Sequence, residues 1–142
     1  SSVLSLNNFE PIAYEDLVNE CGGEEPEYVQ DELAANGKME RITRKAVFAA
    51  ARECEIELFA IGTIDVSIPK KSNVEGYNVT VSINGEVLDV RKRLPKKVVA
   101  IGPVQAQAGG ADDQVAIRNA LSLAGEATAK EIVSRLNAKG IK

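Results

Sequence analysis

The residues best suited to bind a charged ligand lie in the heptapeptide RKRLPKK, residues 91–97. Five of its seven residues are positively charged, namely Arg91, Lys92, Arg93, Lys96 and Lys97. Such a cluster can hold phosphate groups, but no aromatic side chain is interleaved for stacking on the bases of a single strand. Three interpretations therefore stay open: phosphate binding, contact with an acidic protein surface such as residues 10–32 of a neighbouring copy, and a solvated edge.

Side chains suited to catalysis are scarce. The sequence has no histidine, and its two cysteines, Cys21 and Cys54, stand outside any Cys-x-x-Cys spacing. A Cys/His zinc site within one chain and a nucleophile activated by histidine are therefore excluded. The carboxylates show neither EF-hand spacing nor a distinct acid/base pair, and GGADD (109–113) lacks the lysine of a phosphate-binding loop. We expect no catalytic residue, no metal site and no cofactor, and we predict that the protein is not an enzyme.

Neither cysteine belongs to a Cys/Cys or Cys/His pattern with the spacing of a metal site. Free cysteines are commonly buried and behave as small apolar side chains. We therefore favour unreactive buried thiols, with a disulfide between Cys21 and Cys54 as the alternative.

Charge is distributed unevenly along the 142 residues. Residues 1–40 hold ten acidic groups and one basic group, whereas residues 41–142 hold sixteen basic and eleven acidic groups. This asymmetry can orient one copy of the chain against the next, and two solvated lobes are the alternative. No apolar run approaches the ~20 residues of a membrane span, and the N-terminus lacks a signal-peptide pattern. We therefore predict an intracellular protein without membrane contact.

Three helices are predicted in the first part of the chain. The first covers Tyr14 to Glu20 and is stopped by the glycine pair that follows, and the second begins at Pro26 and ends at Asn36-Gly37, as helix-capping preferences indicate. The third runs from about Met39 to about Leu58. Its apolar stripe contains unusually small side chains, with Ile42, Ala46, Ala49 and Ala50 at helical spacing. Small residues let a neighbouring backbone approach closely, so we predict tight packing on the chain's own sheet or on another subunit.

Alternating apolar residues predict strands further on. IGTIDVSI (61–68) predicts a half-buried strand with Ile64, Val66 and Ile68 facing inward. Asn84-Gly85 is a preferred two-residue hairpin turn, and it would place Val79 to Ile83 opposite Glu86 to Val90. KKVVAIGPV (96–104) predicts a further strand that Gly102-Pro103 ends.

The C-terminal part predicts a connector and two helices. The small residues QAQAGGADD (105–113) predict a mobile connector, Asp112-Asp113 cap one helix, and TAKE (128–131) forms a capping box for another. A plain helical hairpin is favoured over the first two helices of a helix-turn-helix unit. The fold class is therefore α+β: N-terminal helices, a small antiparallel sheet with a projecting hairpin, and a C-terminal helical pair. We predict a body over residues 1–104 and a second part over residues 105–142.

Three segments in this order resemble the head-to-tail connector (adaptor or neck) proteins of tailed bacteriophages. They are the helical region ending in AAREC (50–54), the strand region FAIGTIDVSI, and YNVTVSINGEVLDVRKRL with its Y-x-V and G-x-x-L-x-V patterns. The resemblance covers about residues 8–95. The sequence departs from the family pattern in having Glu55 where an aromatic residue often follows the cysteine.

The resemblance implies a structural virion protein, assembled in the bacterial host cytoplasm, that forms a homo-oligomeric ring between portal and tail. Its expected partners are identical subunits, portal and tail or neck proteins, and DNA that passes through the channel without sequence-specific contact. The small-residue face of the third helix and the basic cluster 91–97 are the expected interface. The alternative function is a nucleic-acid-binding regulator that uses the basic cluster and the C-terminal helices, and an enzyme using unpaired carboxylates is a weaker third possibility.

Overall fold

The computed structural model of the chain describes residues 9, 11–72 and 76–141. Within them lie helices α1 (Tyr14–Cys21), α2 (Pro26–Asn36), α3 (Arg41–Glu53) and α4 (Asp113–Ala138). The strands are β1 (Leu58–Val66), β2 (Lys70–Lys71), β3 (Tyr77–Asp89) and β4 (Lys96–Gly110). The α+β class, with N-terminal helices, a small antiparallel sheet and C-terminal helix, is confirmed.

Strand β3 is the centre of the sheet and pairs with the other three strands. Lys70 lies opposite Asn78 in the antiparallel pair of β2 and β3, and the Ser67 N–H donates to the Thr80 carbonyl at 2.9 Å just beyond the end of β1. β1 and β2 therefore follow one another along the same edge of β3, and Pro69 lies in the break between them.

The predicted turn at Asn84-Gly85 is wrong, because β3 runs without interruption from Tyr77 to Asp89. The chain reverses instead between the end of β3 and the start of β4 at Lys96. The Asn-Gly preference is local, whereas β3 is paired with the other strands of the sheet, and such pairing overrides local preference. The hairpin therefore exists, but the basic cluster 91–97 forms its turn and the first two residues of β4 rather than following it.

Strand β4 continues past its predicted end. It passes through Gly102-Pro103 to Gly110, so most of the predicted connector 105–113 is strand. Gly102 has a φ of 87°, and its Cα lies so close to the Ile83 carbonyl that no side chain fits there. A glycine tolerates this irregular backbone within a strand.

The third helix is shorter than predicted, since α3 ends at Glu53 and Leu58 already begins β1. Glu55 adopts a left-handed φ of 59°. The Ile56 N–H donates to the Ala51 carbonyl at 2.9 Å and the Glu55 N–H to the Arg52 carbonyl at 3.0 Å. These two bonds form a Schellman motif, which glycine normally provides, so the sequence contained no glycine signal for this helix end.

The predicted C-terminal helical pair is wrong, because α4 is one helix from Asp113 to Ala138. Asp112 caps it as predicted, and its carboxylate accepts from the Val115 N–H at 2.9 Å. Thr128, the start of the supposed capping box, lies inside the helix, and its hydroxyl donates to the Ala124 carbonyl at 2.7 Å. No proline interrupts this segment, and a single internal glycine does not end a helix.

The chain divides into two compact units, and β1, β3 and β4 each contribute residues to both. One unit comprises residues 10–63 and 86–99; its core joins α1, α2 and α3 to the ends of β3 through Leu17, Val29, Met39, Val47, Phe48, Ala50, Ala51, Leu88 and Val90. In the other, which includes residues 64–85 and the chain from residue 100 on, Ala116, Ala120 and Ala124 of α4 pack on Val79 and Val81. The division predicted after residue 104 stays a prediction.

Candidate interaction surfaces

The small-residue face of α3 is partly used by the chain itself. A Cβ added to Gly23, in the α1–α2 connection, would lie 3.0 Å from the Ala50 Cβ. The connection therefore packs almost in van der Waals contact with α3, and Ala50 is only 4% exposed. The close packing predicted for Ala50 is thus found within the chain.

The rest of this face is open. Ala46 is half-buried and Ala49 is exposed, while Ile42, one turn before Ala46, is 81% exposed. With the α1–α2 connection, these alanines form a groove with a volume of about 570 Å³. Its lining consists of Cys21, Gly23, Glu24, Ala46, Ala49, Ala50 and Glu53. We call it the α3 groove: its alanines are apolar and it carries two carboxylates.

A disulfide between Cys21 and Cys54 borders the α3 groove. It joins the end of α1 to the C-cap of α3, with a Cα–Cα distance of 5.8 Å. The prediction of two free buried thiols was therefore wrong, and the alternative, a disulfide between Cys21 and Cys54, is present. Sequence spacing did not indicate the pairing, because only the packing of α1 on α3 brings the two residues together.

A buried carboxylate connects α2 to the start of α3. Glu32 accepts hydrogen bonds from the Glu40 N–H and from the Thr43 hydroxyl, both at 2.8 Å. The hydrogen bond from the Glu40 N–H is the main reason that the pKa of Glu32 is lowered. The charge of Glu32 in turn raises the pKa of the neighbouring Tyr28. Because both oxygens of Glu32 are occupied, the group is structural and not a free acid or base.

The turn between β3 and β4 carries the basic cluster, and two of its five cations are already paired. Arg91 binds the Asp89 carboxylate through two side-chain bonds of 3.0 and 2.6 Å, and this pairing lowers the pKa of Asp89 to about 2. Lys97 lies 3.7 Å from Glu86. The remaining cations, Lys92, Arg93 and Lys96, are exposed and form no ion pair within the part of the chain that the structure describes.

Leu94 sits among these free cations and is 86% exposed, the most exposed of the large apolar side chains that the structure describes. Sequence reasoning considered only the charges of this cluster and missed the leucine. Its signal was present, since the residues two positions before and after Leu94 are both lysines, so it has no apolar partner at strand spacing. We call residues 91–97, which include Leu94, the basic turn.

Three apolar residues at the C-terminal end of β1 and just beyond it face water in the single chain. Ile64, Val66 and Ile68, predicted to face inward, are 57%, 43% and 83% exposed. The bond from Ser67 to Thr80 places Val66 opposite Val81, on the face of the sheet that α4 covers. The expectation of burial was therefore wrong for the isolated chain: α4 covers the β3 residues of this face and leaves those of β1 exposed. In the described part of the chain no strand pairs with the outer edge of β1.

Chemical sites are not apparent on these surfaces. The residues that the structure describes contain no group of three or more His, Cys, Asp or Glu side chains able to hold a metal ion. Likewise, no helix in residues 9, 11–72 and 76–141 is long and apolar enough to cross a membrane. No family model, curated protein or solved structure matches this chain.

Proposed function

We propose that this chain is a structural subunit that assembles with copies of itself into a ring, of the kind that joins the portal to the tail in bacteriophage virions. The observation that carries the proposal is the exposed apolar row Ile64, Val66 and Ile68, which lies at the C-terminal end of β1 and just beyond it. Covering these three side chains stabilises an assembly by about 3–5 kcal/mol, after scaling full burial by their exposed fractions. Contiguous exposed apolar surface of this kind is typical of interaction sites.

The outer edge of β1 adds a second contribution to assembly. An edge strand presents unpaired N–H and C=O groups, and pairing with a strand of another chain satisfies them. The row of apolar side chains on the same strand gives such pairing a register, since a slip of one residue would turn the row to the other face. A neighbouring copy that lies along β1 would cover both the backbone edge and the row.

The distribution of charge favours a closed ring over a two-fold dimer. The N-terminal forty residues are strongly acidic, whereas the remainder, including the basic turn, is basic. Opposite charges on different patches of one chain favour contacts between unlike patches, and such head-to-tail contacts close into rings. The resemblance of residues 8–95 to connector proteins supports the same assembly, with the portal above and tail or neck proteins below.

DNA would pass through such a ring without sequence-specific contacts. In the unassembled chain, Lys92, Arg93 and Lys96 are exposed and form no ion pair among the described residues, and contacts of such cations with phosphates are independent of sequence. Of the two features behind the regulator alternative, the basic cluster 91–97 is exposed, whereas the C-terminal segment is the single helix α4 and not a helix-turn-helix pair. We therefore propose no catalytic activity and no cofactor, and we place the protein in the virion after assembly in the host cytoplasm.

The first experiment measures the molar mass of the purified chain by light scattering across a range of concentrations, with electron microscopy of the largest species. We expect closed rings of constant size. The variant Ile64→Lys/Val66→Lys should shift the mass toward the monomer, because it places charge in the proposed contact. Leu123→Lys is the matched control, since Leu123 is a half-exposed apolar residue on α4. A monomer at every concentration would refute the proposal.

A second measurement compares binding of duplex DNA at several salt concentrations. Three free cations predict weak binding whose logarithm falls with the logarithm of salt with a slope of about −3 per chain. Tight, sequence-selective binding by a monomer or dimer would overturn the connector in favour of the regulator.

A further inference from the structure

We propose that the basic turn of one copy docks in the α3 groove of the next copy. Leu94 would lie on Ala46 and Ala49, and the free cations of the turn would face Glu24 and Glu53. This inference rests on the proposed self-assembly and specifies one of its contacts. The two surfaces belong to different parts of the chain, so every copy can give one turn and receive another.

The basic turn has the features of an inserted element. Leu94 is 86% exposed, so within its own chain it fills neither the α3 groove nor any other apolar site. The backbone of the turn is held in place, since Arg52 donates to the Lys92 carbonyl at 3.3 Å and Arg91 is fixed on Asp89. An element that is already ordered loses little conformational entropy on binding.

The α3 groove has the size and lining to receive a leucine. Its volume of about 570 Å³ is open to solvent along the face where Ala46 and Ala49 expose their methyl groups. These small side chains let the backbone of a docked turn approach the helix. The wall formed by the α1–α2 connection is fixed, because the Tyr14 hydroxyl donates to the Glu24 carbonyl at 2.6 Å and the disulfide ties Cys21 to Cys54.

Charge complementarity identifies the occupant as a second copy. The groove carries the carboxylates of Glu24 and Glu53, and neither forms an ion pair within the described ranges 11–72 and 76–141. The turn carries Lys92, Arg93 and Lys96, which are unpaired in the same part of the chain. Complementary potentials across an interface favour the correct partner and orientation. Each copy of the chain therefore carries both surfaces: an apolar tip surrounded by cations, and an apolar groove with carboxylates.

The decisive experiment is a charge exchange between the two surfaces. Arg93→Glu/Lys96→Glu reverses the turn, Glu24→Lys/Glu53→Lys reverses the groove, and a third protein combines all four changes. We expect each reversal alone to raise the concentration for half-assembly by about 100-fold, since like charges then face each other across the contact. The four changes together should bring it back to within about tenfold of the original, because the opposed charges are complementary again.

A matched control reverses one cation on α4 and one at its C-cap, Arg118→Glu/Lys139→Glu. These side chains are exposed and lie outside both surfaces, so the control has the same change in net charge, and we expect it to assemble like the original chain. If the control loses assembly as strongly as the turn variant, net charge and not a specific contact controls association, and the inference fails.

A mixing experiment tests the apolar part of the contact. Leu94→Asp removes the tip and keeps the groove, whereas Ala49→Trp fills the groove and keeps the tip; both positions are exposed, so folding should be unaffected. Neither variant alone should form rings. In an equimolar mixture, the intact turn of the Ala49→Trp chain can dock in the intact groove of the Leu94→Asp chain, so we expect a one-to-one dimer.

The outcomes separate this inference from the proposed function. If the original chain forms rings and both Leu94→Asp and Ala49→Trp do so equally well, the inference is wrong while ring assembly stands. If the original chain is monomeric throughout, self-assembly itself is wrong and the inference falls with it. If the turn variant loses DNA binding while assembling normally, the basic turn is a nucleic-acid contact and does not dock in the groove.

Discussion

The packing of Gly23 on α3 makes a strong prediction about stability. Gly23 has a φ of 111°, which side chains rarely adopt, and its Cβ would lie 3.0 Å from the Ala50 Cβ and 3.2 Å from the Tyr14 hydroxyl oxygen. Carbon atoms in contact prefer about 3.5–4.0 Å, so Gly23→Ala must displace α3 or the connection. Backbone strain of about 1–3 kcal/mol and overpacking of about 1–3 kcal/mol together predict a loss of about 2–6 kcal/mol in the free energy of unfolding.

Urea denaturation of the oxidised protein measures this loss. With an m-value of about 2 kcal/mol per molar urea, the midpoint should fall by about 1–3 M. Gly22→Ala gives the strain-only reference, because Gly22 also has a positive φ, 78°, but a Cβ there would meet nothing within 4 Å. Gly22→Ala should therefore cost less than Gly23→Ala.

A double-mutant cycle with Ala50→Gly separates strain from packing. Removing the Ala50 methyl group takes away the nearest atom, so Gly23→Ala should cost about 1 kcal/mol or more less in that background than in the original chain. If the cost of Gly23→Ala is the same in both backgrounds, the close approach of the connection to α3 contributes nothing and the reasoning is refuted.

Three further predictions concern stability. Glu55→Gly should raise the free energy of unfolding by about 0.5–1 kcal/mol, since glycine adopts the left-handed conformation at the end of α3 without the penalty that Glu55 incurs. A lower midpoint temperature of thermal unfolding for this variant would contradict the Schellman motif. Because the folded-state pKa of Glu32 is lowered, its contribution to stability is present above the ordinary carboxyl pKa and is lost as the pH falls below about 5. Stability of Glu32→Gln measured against pH should therefore fall less steeply than that of the original chain. Reduction of the Cys21–Cys54 disulfide, which spans 33 residues, should cost about 3–4 kcal/mol in the chain-entropy account, and unchanged denaturation in a thiol reductant would argue against the bond.

The local signals of the sequence determined the fold class and most helix starts. Proline at the start of α2, glycine at its end and Asp112 before α4 act through their own backbone geometry, which depends little on the rest of the chain. The small-residue face of α3 and the charge of residues 91–97 were also visible, because residue type and helical spacing are written directly in the sequence. These features indicated only part of the candidate interaction surfaces, since the role of Leu94 and the exposure of Ile64, Val66 and Ile68 were not predicted.

The tertiary structure alone decided how these parts are used. Asn84-Gly85 became part of a strand because β3 is paired along both edges, and TAKE became the middle of α4 because nothing in the segment breaks the helix. Packing of α1 on α3 brings Cys21 and Cys54 close enough to form a disulfide. Ala50 is buried in the same region, whereas Ala46 is half-buried and Ala49 is exposed. Exposure of Ile64 and Leu94 depends on which surfaces the remaining elements cover, and that is set by contacts between residues far apart in the chain, which no local pattern contains.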